Sequence, residues 1–314
     1  MTDERRIEVK TPKGTFSVWT RKVGRHPTRK LLLLHGGPGS SHNGFQIFEQ
    51  YLPLDEVEFY YYDQLGSYRS DQPDEPELWS VARFVNEVEQ VRRALDLDGQ
   101  NFYLLGQSWG GLLAMEYALA HQEQLKGLIV SNMMSSAPAY SAYVENVLLP
   151  SMDPAVVKEL KELEAVEDFS NPRYKLLLME HYYQYHVLRM PLDQWPEPVM
   201  RMLEHVNRDI YVPMQGPSEL GLRGTLADWD RSRDLGRITV PTLVIGAAHD
   251  TMDPEHMKWM AEQLPNGRSL ICPNGSHLAQ HDDPDHYFPG LLRFIGDVDN
   301  ICLLYTSDAA DDFA

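Results

Sequence analysis

Short unbroken apolar runs and stretches of helical periodicity take turns along most of this chain. The opening alternates in small pieces, RIEVK and then TFSVWT on either side of Pro12-Lys13-Gly14, which predicts a β-hairpin. KLLLL at 30–34 has no polar alternation and ends in the loop HGGPGSS. A strand of that kind is buried on both faces, as in a parallel sheet under helices. The unit recurs in EVEFYYYD, NFYLLGQ, KGLIVSNM, VPTLVIGAAHD and RSLICPNGSH, each a strand followed by a loop. Between them, VARFVNEVEQVRRALDL spaces Val81, Phe84, Val85, Val88 and Val91 for one helix face, and LLAMEYALAHQ continues from the third strand as a second helix. Alternating strands and helices predict an α/β fold with a mostly parallel sheet flanked by helices.

The rhythm breaks between about Met134 and Gly236. KELKELEAVED and KLLLMEHYYQYHVLRM read as amphipathic helices separated by Asn171-Pro172, with Trp195-Pro196-Glu197-Pro198 beyond them. A connection this long inside a compact domain implies a separately folded insertion. The expected organisation is a core of residues 1–133 and 237–300, with an inserted helical cap at 134–236. ICLLYTSDAADDFA at 301–314 matches no preceding pattern and is expected to be a non-native or disordered tail.

Composition narrows the function. The 314 residues carry 46 acidic and 28 basic side chains, a formal charge of −18, which argues against nucleic acid and anionic membranes as partners. Cys272 and Cys302 are too few for a disulfide framework or a cysteine metal cluster. The start MTDERRIEVK lacks the apolar stretch of a signal peptide, and no aliphatic run approaches a membrane span. The expectation is a soluble cytoplasmic protein of undetermined oligomeric state.

Gly106-Gln107-Ser108-Trp109-Gly110 is a G-x-S-x-G pentapeptide lying between a strand and a helix. That context is what a nucleophile elbow requires. Its serine needs a base, and the base an orienting acid. In α/β-hydrolases these follow in the order serine, acid, histidine, each in a loop after a late strand. Asp250 and His277 occupy those places; Asp253 is a rival acid, though Asp-Pro more often opens a helix. His281 and His286 are rival bases in HDDPDH, which reads as a solvated helix start. His277 and His281 share an i, i+4 spacing, but without an HExxH pattern they make a poor metal site, and no cofactor is expected. Oxyanion donors are expected from the Trp109 N–H and from the His35–Gly39 loop. Cap aromatics Tyr182, Tyr183, Trp195, Tyr211 and Trp229 are candidates for lining an apolar slot.

HGGPGSSH at 35–42, YDQLGSYRS at 62–70 and GQSWGG at 106–111, with the late Asp250 and His277, give a chain that resembles the proline iminopeptidase family from about Leu31 to Ile295. These are α/β-hydrolases that remove an N-terminal residue, preferentially proline. The resemblance implies Ser108 as nucleophile, His277 as base, Asp250 as orienting acid, and Gly37 and Trp109 as oxyanion donors. It also implies Glu219, in MQGPSE, as the partner of a free substrate amine; from the cap aromatics, Tyr211 and Trp229 are taken as further candidate substrate contacts. One departure is Thr251, where some relatives carry a second acid; Asp253 or Glu255 would have to substitute for it. The competing expectations are an esterase, amino-acid amidase or lactonase on the same fold, and a ligand sensor that has kept only the shape.

Overall fold

The computed structural model describes residues 3–311, with side chains described from 3 to 300. Eight strands form one sheet: β1 (Asp3–Thr11), β2 (Gly14–Val23), β3 (Lys30–Leu34), β4 (Glu58–Asp63), β5 (Phe102–Gln107), β6 (Gly127–Ser131), β7 (Thr242–Ala247) and β8 (Gly267–Cys272). Their order is β1-β2-β4-β3-β5-β6-β7-β8. β1 and β2 make the expected hairpin, β2 runs antiparallel to β4, and every pair from β4 onward is parallel.

The unbroken apolar runs are explained by two cores, one on each side of the sheet. Leu32 and Leu34 of β3 and Leu104 of β5 face one core with Phe84, Val88 and Val91 of the helix Val81–Ala94 and Leu112 of the helix Trp109–His121. Leu31, Leu33 and Leu105 face the other, with Phe48, Tyr287, Leu291 and Phe294. Successive strand residues point to opposite faces, so a strand covered on both sides has no position left for a polar residue.

Between β6 and β7 the chain folds as short helices that include Pro154–Ala165, Pro172–Leu178, Glu197–Glu204 and Arg208–Met214. The ends of this insertion meet in a bridge between Ser136 and Asp230. Asp153 and Asn171 cap two of these helices by accepting backbone N–H bonds, each followed by a proline at the first helical position, where the missing N–H costs nothing. KLLLMEHYYQYHVLRM is not one uniform helix. After Pro172–Leu178 a wider π turn covers Met179–Tyr183, and the helix stops at His186.

The closing helix runs Pro284–Asp311, so its backbone continues through most of the segment expected to be a tail. Residues 312–314 of that segment lie outside the described residues. Among the described residues no helix is long and apolar enough to cross a membrane.

Candidate active site

Five adjacent strands deliver the candidate residues to one edge of the sheet, the carboxyl ends of β3, β5, β6, β7 and β8. Open α/β sheets present ligand sites at this edge. Ser108 follows β5 directly, at φ 57° and ψ −127°, a strained turn that points the chain from strand into helix. The close approach behind it depends on glycine. A Cβ on Gly106 would come within 1.9 Å of the Gly110 carbonyl oxygen, and one on Gly110 within 2.0 Å of that of Leu34. The Ser108 carbonyl accepts from the Gly111 N–H at 2.7 Å, which starts the helix.

His277 and Asp250 are brought together: His277 Nδ1 lies 2.8 Å from Asp250 Oδ1, with both side chains buried. Asp250 Oδ1 also accepts from the Met252 N–H at 3.1 Å, and its Oδ2 accepts from Asn132 Nδ2 at 2.7 Å. The carboxylate is thereby fixed from both sides. The opposite ring nitrogen, His277 Nε2, is buried and makes no hydrogen bond to the described residues. Gln107, the residue before Ser108, donates to the His277 carbonyl at 2.9 Å and so ties the histidine loop to the elbow. Burial pushes the imidazole pKa down, but the charges of Asp250, Glu219 and Asp282 outweigh it and hold it above the usual 6.5.

The His35–Gly39 loop passes directly over Ser108. A Cβ on Gly36 would sit 3.1 Å from the Ser108 Cβ. Gln64, at the end of β4, locks this loop to the elbow. It donates Nε2 to the His35 carbonyl at 3.1 Å and accepts from Trp109 Nε1 at 2.9 Å. Gly37 lies in this loop at φ 110°, and Trp109 opens the helix, where first-turn N–H groups have no intrahelical partner.

Ser108 and Trp109 line a narrow cavity with Leu112, Met133, Leu222, Leu226 and Met252 as apolar walls and Glu219 as its acidic residue. Tyrosines hold Glu219 in place. Tyr211 Oη donates to Glu219 Oε1 at 2.6 Å, Tyr140 and Tyr182 donate to its backbone carbonyl, and its N–H donates to Tyr183 Oη. Burial and then the nearby carboxylate push the Tyr211 phenol far above its usual pKa, so it stays a donor. The neighbouring cap arginine, Arg223, pairs with Glu164 at 2.8 Å instead. The result is a carboxylate supported by a tyrosine hydrogen bond, with no ion pair to a cationic side chain among the described residues.

The remaining expectations divide. Neither Tyr211 nor Trp229 is among the residues lining the cavity: Tyr211 reaches it only through Glu219, and the Trp229 indole N–H donates to Glu116 at 2.6 Å, a carboxylate that also takes Arg231. Asp253 caps the helix Pro254–Gln263, accepting from the Glu255 N–H at 2.9 Å, while Glu255 pairs with Lys258. Neither replaces the second acid, and Thr251 instead places its hydroxyl 3.1 Å from His277 Nδ1. His281 is not solvated: it is buried with Nε2 on the Gly44 carbonyl at 2.9 Å, and burial pushes its pKa down to about 4. His286 stays half exposed beside Asp283. Asn132 lies in no motif of the sequence, and Gln64 and Gln107 lie within YDQLGSYRS and GQSWGG at positions to which no role was assigned. Their signal is position alone, each at the carboxyl end of a buried strand.

The parallel sheet, the strained serine after β5 and the acid–histidine pair beyond β7 and β8 define an α/β-hydrolase. The family model described as alpha/beta hydrolase fold matches residues 30–284. The proline iminopeptidase of Chitinophaga pinensis is 51% identical over 294 residues, covering 94% of this chain and 98% of that protein. Among solved structures, VinJ superposes with a TM-score of 0.86 at 27% identity, covering 94% of this chain and 99% of VinJ. The proline iminopeptidase of Mycobacterium smegmatis gives 0.81 at 26% identity, covering 95% and 99%. The chain belongs to the proline iminopeptidase family of α/β-hydrolases.

Proposed function

We propose that this chain is a serine aminopeptidase that releases the N-terminal residue, preferentially proline, from short peptides. The observation that carries the reading is Glu219, held by Tyr211 in the same cavity as Ser108. A free ammonium paired there fixes the first carbonyl over the serine and leaves no room for preceding residues, which makes the cleavage exopeptidic.

In this reading Ser108 Oγ attacks the first carbonyl carbon while His277 Nε2 takes its proton, and Asp250 holds the imidazole by Nδ1. The Gly37 and Trp109 N–H groups receive the oxyanion, each worth about 3 kcal/mol of barrier. His277 then protonates the leaving amine, giving an acyl-serine. Water, losing its proton to His277, attacks the ester; His277 then returns that proton to Ser108 Oγ as the acyl–oxygen bond breaks, freeing the amino acid and restoring the serine. Leu112, Met133, Leu222, Leu226 and Met252 offer the side chain an apolar wall. No step calls for a cofactor. We place the activity in the cytoplasm, on a composition with only two cysteines.

A comparison of prolyl, alanyl and phenylalanyl p-nitroanilides with p-nitrophenyl acetate, using Ser108→Ala as blank, tests the reading. Prolyl anilide turnover that vanishes in the blank supports it. Ester turnover with no anilide cleavage means an esterase on the same fold.

A further inference from the structure

Beyond Gln64, the motif YDQLGSYRS takes no part in the site described above, yet its glycine is where the cap meets the core. Asn207 stands at the start of the cap helix Arg208–Met214 and makes three separate attachments. Its backbone N–H donates to the Gly39 carbonyl at 2.8 Å, in the oxyanion loop. Its side-chain Nδ2 donates to the Gly66 carbonyl at 2.8 Å, in the loop after β4. Its Oδ1 accepts from the Asp209 N–H at 3.0 Å and caps the helix.

Both glycines leave room for this contact. Gly39 and Gly66 have φ of 80° and 88°. A Cβ on Gly39 would lie 2.9 Å from the Asn207 carbonyl oxygen, and one on Gly66 only 2.2 Å from Ile210 Cδ1. One turn further, the same helix carries Tyr211, whose N–H donates to the Asn207 carbonyl at 2.9 Å and whose phenol holds Glu219. A continuous path of bonds therefore runs from the oxyanion loop through Asn207 and Tyr211 to Glu219.

We infer that Asn207 is a positioning residue, a clasp between Gly39 and Gly66 that sets the span from the oxyanion donors to the amine-binding Glu219, and so the register in which a peptide is cut. The inference rests on the reading of Glu219 as the amine's partner. A displacement of about 1 Å in such a span lowers turnover by up to about a hundredfold. A substrate without an amine uses the serine and its oxyanion donors but not Glu219, so it does not feel the span.

Asn207→Asp keeps the capping acceptor and loses the donor to Gly66. The test measures kcat and KM for prolyl p-nitroanilide and for p-nitrophenyl acetate, with Tm beside them. Asn207→Ser, which also keeps a capping oxygen but cannot reach Gly66, serves if the first variant fails to fold. Glu219→Gln is run in parallel as the amine-binding control, with every rate taken on the alkaline plateau above the acid limb of each protein, where its effect on His277 does not alter ester turnover. The expected result is a fall of roughly tenfold or more in kcat/KM on the anilide, with ester turnover and Tm nearly unchanged. Equal losses on both substrates, or none on either, overturn the clasp. If Glu219→Gln shows the selective loss and the Asn207 variants do not, the clasp alone fails. If Glu219→Gln shows no selective loss, the amine reading fails and the clasp with it.

Discussion

The Tyr211 phenol donates a 2.6 Å hydrogen bond to Oε1 of Glu219, a carboxylate that shares a cavity with Ser108. A hydrogen bond to a charged group is worth about 1.5–3 kcal/mol. Tyr211→Phe removes it while keeping the ring. The expected outcome is a KM for prolyl p-nitroanilide raised about tenfold, with kcat much less affected. Steady-state kinetics check this, and an unchanged KM would mean the tyrosine does not hold the carboxylate for substrate.

Asn132 holds the far oxygen of Asp250 at 2.7 Å and sits at φ 53°. Asn132→Gly keeps that backbone conformation open and removes the side chain, whose amide also donates to the Ser276 carbonyl at 3.1 Å and accepts from the Ser131 hydroxyl at 2.7 Å. Loss of the support is expected to lower kcat by roughly ten- to hundredfold with little change in KM, because the bond acts on the imidazolium formed in the transition state. A variant with full kcat would show that Asp250 needs no second anchor.

The raised pKa of His277 has consequences for pH. The base must be neutral to accept the serine proton, so the acid limb of kcat/KM lies above 6.5. Glu219 is among the charges that raise it. Glu219→Gln therefore shifts the limb to lower pH, read with p-nitrophenyl acetate so that amine binding plays no part. A limb that stays or moves upward contradicts the assignment. The same group binds its proton more tightly folded than unfolded. Its stabilising contribution is full below the unfolded value and is lost as pH rises through the folded one, so His277→Gln should flatten the decline in Tm over that window.

The elbow has no room for a side chain at Gly110, where a Cβ would lie 2.0 Å from the Leu34 carbonyl oxygen. Gly110→Ala is expected to cost about 3 kcal/mol or more in urea unfolding, because the Leu34–His35 backbone must give way. A loss below 1 kcal/mol or so would mean the turn is looser than its geometry implies.

Most of the fold was legible because burial on both faces leaves a direct trace. Leu31 to Leu34 feed two cores in alternation, so the run contains no polar break. Ser108, Asp250 and His277 were legible as strand-end positions in a fixed order. What a side chain turns toward was not. Trp229 is as aromatic as Tyr211, but the partner that decides its direction, Glu116, lies more than a hundred residues away. His281 sits in a polar run and still folds inward, because the Gly44 carbonyl accepts its ring. Asn132 and Asn207 act through backbone and carboxylate partners that only the tertiary fold assembles. The cap helix after Leu178 widens into a π turn, and the hydrophobic period of the sequence does not register it.

The most direct test of the central claim is the cleavage of prolyl p-nitroanilide set against its N-acetylated counterpart. The two share the scissile bond and the ring; acetylation removes the charge that Glu219 is held to receive and adds an acyl group where an exopeptidase site ends. Turnover of the free amine with the acetylated substrate left intact is the predicted result. Comparable kcat/KM on both would show that the amine is not read and would contradict the aminopeptidase account.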